Sequence, residues 1–160
     1  MMNVTVLCVG KLKERFYIDA VKEYEKRLNG CCKLTLLELP EERLPENPSQ
    51  AQIQAALARE KELVLAKLPK SAAVIALCIE GKTMSSEQLA RKFESWAVSG
   101  TGSLCFLIGS SYGMHPELKE RAELRLSMSP MTFPHHLARV MLLEQIYRAF
   151  KINEGSRYHK

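Results

Sequence analysis

Short apolar runs separated by stretches of helical spacing constrain this chain more than any other feature. Asn3–Val9, Lys33–Leu39, Ala72–Ile79 and Ser103–Ile108 have strand length, and most are nearly continuous in Val, Ile, Leu, Ala and Cys. Strands that are covered on both faces can stay apolar throughout, whereas a half-solvated strand must alternate. Between them, Glu14–Leu28 spaces Phe16, Ala20, Val21, Tyr24 and Leu28 as one helix face and stops at Asn29-Gly30. Ser49 is placed to cap a helix reaching about Leu68, and Ser85 or Ser86 a helix through Leu89, Phe93 and Trp96. Pro40–Pro48 reads as an exposed loop and Ser99–Ser103 as a turn. Pro116–Glu123 reads as a short helix and Leu124–Ser127 as a short fifth strand. This order predicts an α/β fold, a mostly parallel sheet covered by helices on both faces. The 160 residues suffice for one core and one domain, spanning 1–160.

The last thirty residues are of a different kind. Thr132 and Pro134 mark a helix start, with Phe133 and Leu137 spaced to pack across it. The helix from His135 to Ile152 then carries Leu137, Val140, Met141, Leu142, Leu143, Ile146, Tyr147 and Phe150 on nearly every face. A surface helix shows one apolar stripe, so this one is expected to be buried on two sides, the second against a symmetry mate. Glu144 and Arg148 stand four residues apart, at pairing distance. The chain closes on Tyr158-His159-Lys160, aromatic and imidazole groups that a frayed end does not need.

Composition narrows the class. The net charge is +5, and residues 131–160 supply +3 of it, five cations against Glu144 and Glu154. Lys11, Lys13 and Arg15 form a second basic cluster after the first strand. Such surfaces are compatible with an anionic partner. No run of eighteen apolar residues spans a membrane, and the N-terminus lacks a basic leader, so a cytoplasmic location is expected. The five cysteines, Cys8, Cys31, Cys32, Cys78 and Cys105, show no C-x-x-C and no metal spacing, and read as reduced structural thiols. Asp19 is the sole aspartate, which rules out paired-Asp metal sites. His135 and His136 are adjacent and so point in different directions on a helix, which argues against a zinc pair. No metal is expected. There is no Gly-x-Ser-x-Gly elbow and no Walker or dinucleotide glycine pattern.

In parallel sheets ligands bind at the carboxyl ends of the strands. Three strand ends carry small residues that let backbone groups approach a ligand: Glu80-Gly-Lys-Thr83, Gly109-Ser-Ser-Tyr-Gly113 and Met128-Ser-Pro-Met-Thr-Phe133. A small α/β domain with three such loops and a basic, aromatic tail fits a group-transfer enzyme whose cofactor carries its own reactive group.

Three long strings then carry a resemblance: Phe106–Gly113, Leu126–His135, and Leu143–Phe150 with terminal Tyr158-His159-Lys160. Over essentially its whole length the chain resembles the ribosomal RNA large subunit methyltransferase H family, a minimal branch of the SPOUT methyltransferases. The resemblance implies S-adenosyl-L-methionine as cofactor and methylation at N3 of a pseudouridine in 23S rRNA on assembled ribosomes. It also implies an obligate homodimer and a SPOUT-type fold with a C-terminal trefoil knot. Cofactor contacts carried over by the matching strings are Leu77, Gly109, Met128, Ser129, Pro130, Met131, Thr132 and Phe133. Two departures stand out. Ser110 occupies a position where family members often have a second glycine, placing a side chain beside the cofactor loop, and Pro130 one where a basic residue is frequent.

Within that chemistry the sulfonium makes the transferred methyl electrophilic, and catalysis is mostly positioning. Arg148 and His159 are the candidates for steering the base and its proton, Tyr158 for stacking on the base, and Glu144 for holding Arg148. Glu144–Arg148 also fits a plain helix ion pair, and His135 and His136 read as a helix start. Two other classes remain open from the residues alone: a non-catalytic RNA-binding module of the same fold, and a flavodoxin-like nucleotide-binding enzyme.

Overall fold

A computed structural model describes residues 1–159; Lys160 of the terminal motif lies outside the described residues. The elements run β1 (Asn3–Val9), α1 (Arg15–Leu28), β2 (Lys33–Leu39), α2 (Gln50–Lys67), β3 (Ala73–Thr83), α3 (Ser86–Val98), β4 (Ser103–Ile108), α4 (Pro116–Arg121), β5 (Leu124–Ser127) and α5 (His135–Asn153). The five strands form one sheet in the order β2-β1-β4-β3-β5, and each neighbouring pair is parallel. The expected architecture is therefore present. The helix starts behave as read from their residues. Ser49 and Ser85 each accept from the third residue on, Gln52 and Gln88, whose side chains return the bond in a reciprocal capping box.

Strand side chains divide by parity between two cores. Val4, Val6, Cys8, Ile75, Leu104 and Phe106 pack with α1, α3 and α5 on one face. Leu7, Val9, Val74, Ala76, Cys105 and Leu107 pack on the other, with Val64 of α2 and Leu118 of α4. Phe93, 1% exposed, joins α3 to the sheet and to α5, its ring 6.1 Å from Phe106 and 5.4 Å from Phe150.

Three expectations change. The strand read as ending at Ile79 continues to Thr83, so Glu80-Gly81-Lys82-Thr83 is not a free loop. Leu77 and Lys82 both stand opposite Leu126 of β5, so residues 78–81 leave the register and return to it. The run of apolar side chains stops at Ile79, but backbone pairing does not. Gly81 permits the return: a Cβ there would lie 2.7 Å from the Arg125 carbonyl oxygen. Second, α5 starts at His135 as expected, with Pro134 as cap and no side-chain capping bond, but runs to Asn153, one residue past Ile152. Third, α5 finds its further burying surfaces within its own chain. It packs against both α1 and α3, and none of its residues from His135 to Ile152 is fully exposed. Part of the apolar surround therefore reflects a central place in a three-helix layer, while Leu137, Val140, Met141 and Tyr147 stay half-buried. Smaller differences are that α4 ends at Arg121 and that Cys78, in the excursion, is half-buried instead of buried.

One polar contact seats the first turns of α5. Arg139 is 3% exposed. Its Nη1 meets Glu38 Oε2 of β2 at 2.5 Å and its Nη2 donates to the Gly10 carbonyl after β1 at 3.1 Å. The same Glu38 oxygen accepts from the Leu12 N–H at 3.0 Å. Burial pushes the Glu38 carboxyl up, but Arg139 and the Leu12 N–H outweigh it and hold it below its ordinary value. A depressed carboxyl stabilises the fold fully above its unfolded pKa, and this contribution fades as pH falls through the folded value. Arg139→Met should cost ~3 kcal/mol, the low end for a broken buried pair, because Glu38 keeps 36% of its side chain exposed. Chemical denaturation checks this. Glu38→Gln should make the acid loss of stability between about pH 5 and pH 3 shallower; an unchanged acid limb would contradict the assignment.

Candidate functional site

The carboxyl ends of β3, β4 and β5 and the start of α5 enclose a cleft of about 690 Å³, within the range of small-molecule sites. Leu77 and Ile108 form apolar wall from the strands, and Phe133 and Pro134 from the segment entering α5. Of the residues expected to hold the cofactor, Leu77, Gly109, Met128, Ser129, Met131, Thr132 and Phe133 all line this cleft. Pro130 does not; it is exposed at the turn between them. Glu80, from the first of the three strand-end segments, and His135, expected only as a helix start, also line it, as does Lys119, which no sequence feature marks. Glu80 and Lys119 form an ion pair there, which holds the Glu80 carboxyl below its ordinary value.

The Gly109–Gly113 loop owes its shape to contacts with itself and with α2. Ser110 N–H donates to the Gly113 carbonyl at 3.0 Å and Gly113 N–H returns to Ser110 at 2.8 Å. A Cβ on Gly109 would lie 2.4 Å from that Gly113 carbonyl oxygen. Gly109 is thus required by the loop's own backbone, and Gly109→Val would break the loop instead of merely crowding a ligand. Ser110 lines the cleft, but its Oγ is engaged by the scaffold, donating to Glu60 Oε1 at 2.9 Å. Glu60 Oε2 accepts from the Glu42 N–H at 2.9 Å, and Glu41 accepts from the Ser111 N–H at 3.1 Å. Glu60 is 5% exposed, and burial raises its carboxyl above the ordinary value despite these bonds. The sequence did carry a signal for Glu60. It falls in the buried stripe of α2, with Ala56, Leu57 and Val64, and a carboxylate in an apolar stripe needs partners.

At the opening of α5, burial, and after it the neighbouring His136, lower the His135 pKa. His135 Nε2 is buried without a protein partner although its ring lines the cleft. The ring thus adds surface to the cleft, while Nε2 lies on the side of Gly10, 3.6 Å from where a Cβ there would stand.

The four residues expected to act on the base are gathered elsewhere. Glu144 accepts from Tyr158 Oη at 2.5 Å and from Tyr24 Oη at 3.3 Å, and lies 3.5 Å from Arg148 Nε. Arg148 Nη1 meets His159 Nδ1 at 3.0 Å and stacks its guanidinium 5.0 Å from the Tyr158 ring centre. An arginine only donates, so His159 Nδ1 accepts here and Nε2 carries the hydrogen, pointing to Glu87 at 2.6 Å. That bond holds Glu87 down at about 2. The Tyr158 phenol is pushed up, first by its bond to Glu144. None of the four lines the 690 Å³ cleft. Glu144 instead borders a second groove of about 490 Å³, walled by Tyr24, Met84, Leu89, Val140 and Met141. The two hollows share Leu126 and Met128.

The profile of a family described as "Predicted SPOUT methyltransferase" matches residues 2–159. The chain belongs to the SPOUT methyltransferase family. It is 46% identical over 159 residues to the ribosomal RNA large subunit methyltransferase H of Clostridioides difficile, covering 99% of this chain and all of that protein. The same identity and coverage hold for the protein of that name from Leuconostoc mesenteroides. Among solved structures, a probable methylase family protein from Haemophilus influenzae superposes with a TM-score of 0.55 at 14% identity, over 98% of this chain and 70% of that one. This last likeness concerns the fold. For a methyltransferase, the cleft supplies what a methyl donor needs: apolar wall and backbone within close approach.

If Glu60 holds the SPOUT loop at Gly109–Gly113 in shape, Glu60→Ala should release two N–H and O–H donors at a cost of ~1–3 kcal/mol. Amide exchange at Glu42, Ser110 and Gly113 should then accelerate, as read by NMR. Unchanged exchange at all three would show that the loop holds itself.

Proposed function

We propose that this chain uses S-adenosyl-L-methionine to methylate N3 of a pseudouridine in the 23S rRNA of the large ribosomal subunit. It acts on assembled ribosomes, as a cytoplasmic homodimer of single-domain chains. The observation that carries the reading is the convergence of seven expected cofactor residues on one cleft at the carboxyl edge of the sheet. The names of the two relatives support the substrate. The C-terminal trefoil knot belongs to the same proposal, formed by the segments around β5 and α5.

The residues present fit the cofactor. The volume suits it, and the backbone of Met128–Phe133 offers polar groups beside apolar side chains. Bound there, S-adenosyl-L-methionine supplies an electrophilic methyl carbon. The protein's task is then to orient the base and manage one proton. N3 must lose its proton and approach in line. Arg148 faces the negative charge that develops on the base, His159 moves the proton, Tyr158 stacks, and Glu144 fixes Arg148.

These roles are met across two chains. Ala138 is a residue of α5 that lines the cleft, and Arg148 lies ten residues further on. At 1.5 Å per residue that is ~15 Å of helix axis, several times a hydrogen bond. The tail of one protomer therefore serves the cleft of its partner. The 490 Å³ groove, apolar and shared between α1, α3 and α5, supports a covered face in this layer.

Two measurements test the reading. Methyl transfer to whole ribosomes should exceed transfer to isolated 23S rRNA by about tenfold or more, equivalent to ~1.4 kcal/mol of added contacts, because +5 of net charge gives few phosphate contacts. Equal rates would count against it. For the shared site, a cleft-filling variant, Thr132→Trp, is mixed with His159→Ala, each inactive alone. A tail acting in trans leaves one intact site per mixed dimer, so activity returns in part. Continued inactivity with heterodimers present would exclude a shared site.

A further inference from the structure

Phe16 is 66% exposed, the most exposed aromatic side chain among the described residues. It stands in the first turn of α1, at the end of Lys11-Leu-Lys-Glu-Arg15, which carries three cations against one carboxylate. Its ring lies 4.5 Å from that of Tyr17. Tyr17 lies 6.1 Å edge-on from His136, and His136 lies 4.2 Å from His135. His135 lines the cofactor cleft. A continuous file of four rings thus runs from solvent to the cleft, with its outer end bare.

The surroundings say what fits that end. Lys11, Lys13, Glu14 and Arg15 are all exposed. Glu14 is engaged with His136 at 3.5 Å, and Arg15 with Asp19 at 3.4 Å in a pair open to solvent. The cores of protein interfaces are depleted in such charge and bury wider apolar area than one ring. RNA offers the complement: flat bases to stack on an aromatic face and phosphates for the lysines.

We propose that Phe16 is a stacking platform for an unpaired nucleobase of the RNA substrate, placed by the ring file Phe16–Tyr17–His136–His135 next to the cofactor cleft. Lys11 and Lys13 hold the flanking phosphates. The proposal rests on the rRNA reading above. Phe16 binds and positions; it touches no reacting atom.

The test compares Phe16→Ala and Phe16→Trp with the wild type for equilibrium binding to whole ribosomes, binding of S-adenosyl-L-methionine by calorimetry, and oligomeric state by sedimentation. Because the side chain is exposed, both variants should fold. Phe16→Ala should weaken ribosome binding about 5- to 100-fold, the range for one lost base stack, and Phe16→Trp should restore it. Cofactor affinity and oligomeric state should not change. Ribosome binding by Phe16→Ala equal to the wild type, or no rescue by Trp, overturns the platform while leaving the rRNA reading intact. A shifted oligomeric state assigns the ring to a contact between copies and also overturns it. Wild-type protein that neither binds nor methylates ribosomes removes the rRNA reading and the platform together.

Discussion

The bond set of Arg139 is the constraint on which the rest of the structure depends. A guanidinium 3% exposed reaches from α5 to Glu38 on β2 and to the Gly10 carbonyl after β1. These contacts lie at the carboxyl edge of the sheet, and they fix where α5 begins. The start of α5 in turn sets where Phe133, Pro134 and His135 stand, and these close one side of the cleft. An apolar residue at 139 could fill the same space. It would give α5 no reason to stop its slide at Gly10, because apolar packing is non-directional and a bidentate cation is not.

The same helix serves two hollows at different heights. Its first turns border the 690 Å³ cleft, and its middle carries Glu144, on the second groove, and Arg148. Tyr24, Tyr158 and Arg148 all converge on the Glu144 carboxylate. In a single chain the tail lies back on α5 and α3, through Glu144 and Glu87. Tail and cleft are thus both formed, yet apart. On the proposed reading this separation makes the arrangement of copies part of the chemistry, since an in-line transfer tolerates errors of about an ångström and not ~15 Å.

Much of this was legible in the residues because patterning and burial agree. Unbroken apolar runs gave four strands and their shared burial, and Ser49 and Ser85 gave helix starts that the capping boxes realise. The strand ends pointed to the cleft, and the resemblance named seven of the residues that line it. What escaped notice is instructive. The extension of β3 to Thr83 depends on backbone pairing with β5 across an excursion, and backbone pairing leaves no mark in side-chain pattern. The apolar surround of α5 predicts two burying surfaces, but periodicity reports that a face is buried and not what buries it. Here α1 and α3 cover part of it, while Val140, Met141 and Tyr147 stay half-buried. The place of the tail depends on contacts over long sequence separations, such as His159 with Glu87, which no local rule anticipates.

Small residues at the strand ends show the same limit at finer scale. Gly81 and Gly109 stand where room for a ligand is expected, and Ser110 where a side chain is expected beside it. Gly81 makes room for the Arg125 carbonyl and Gly109 for the Gly113 carbonyl, while Ser110 is bound to Glu60. A glycine records that something comes close; it does not record what. Yet each of these contacts shapes a wall of the cleft. Glu60 and Arg139 are the buried charges concerned, one beneath the Gly109–Gly113 loop and one beneath the start of α5. Buried charges are poor means of stabilising a fold, since apolar replacements often serve as well. Their value here lies in direction: each holds loop backbone or a helix start at a defined place beside the cleft. The polar interior of this chain is therefore concentrated where the chemistry needs fixed geometry, and the apolar core supplies the stability that lets it remain there.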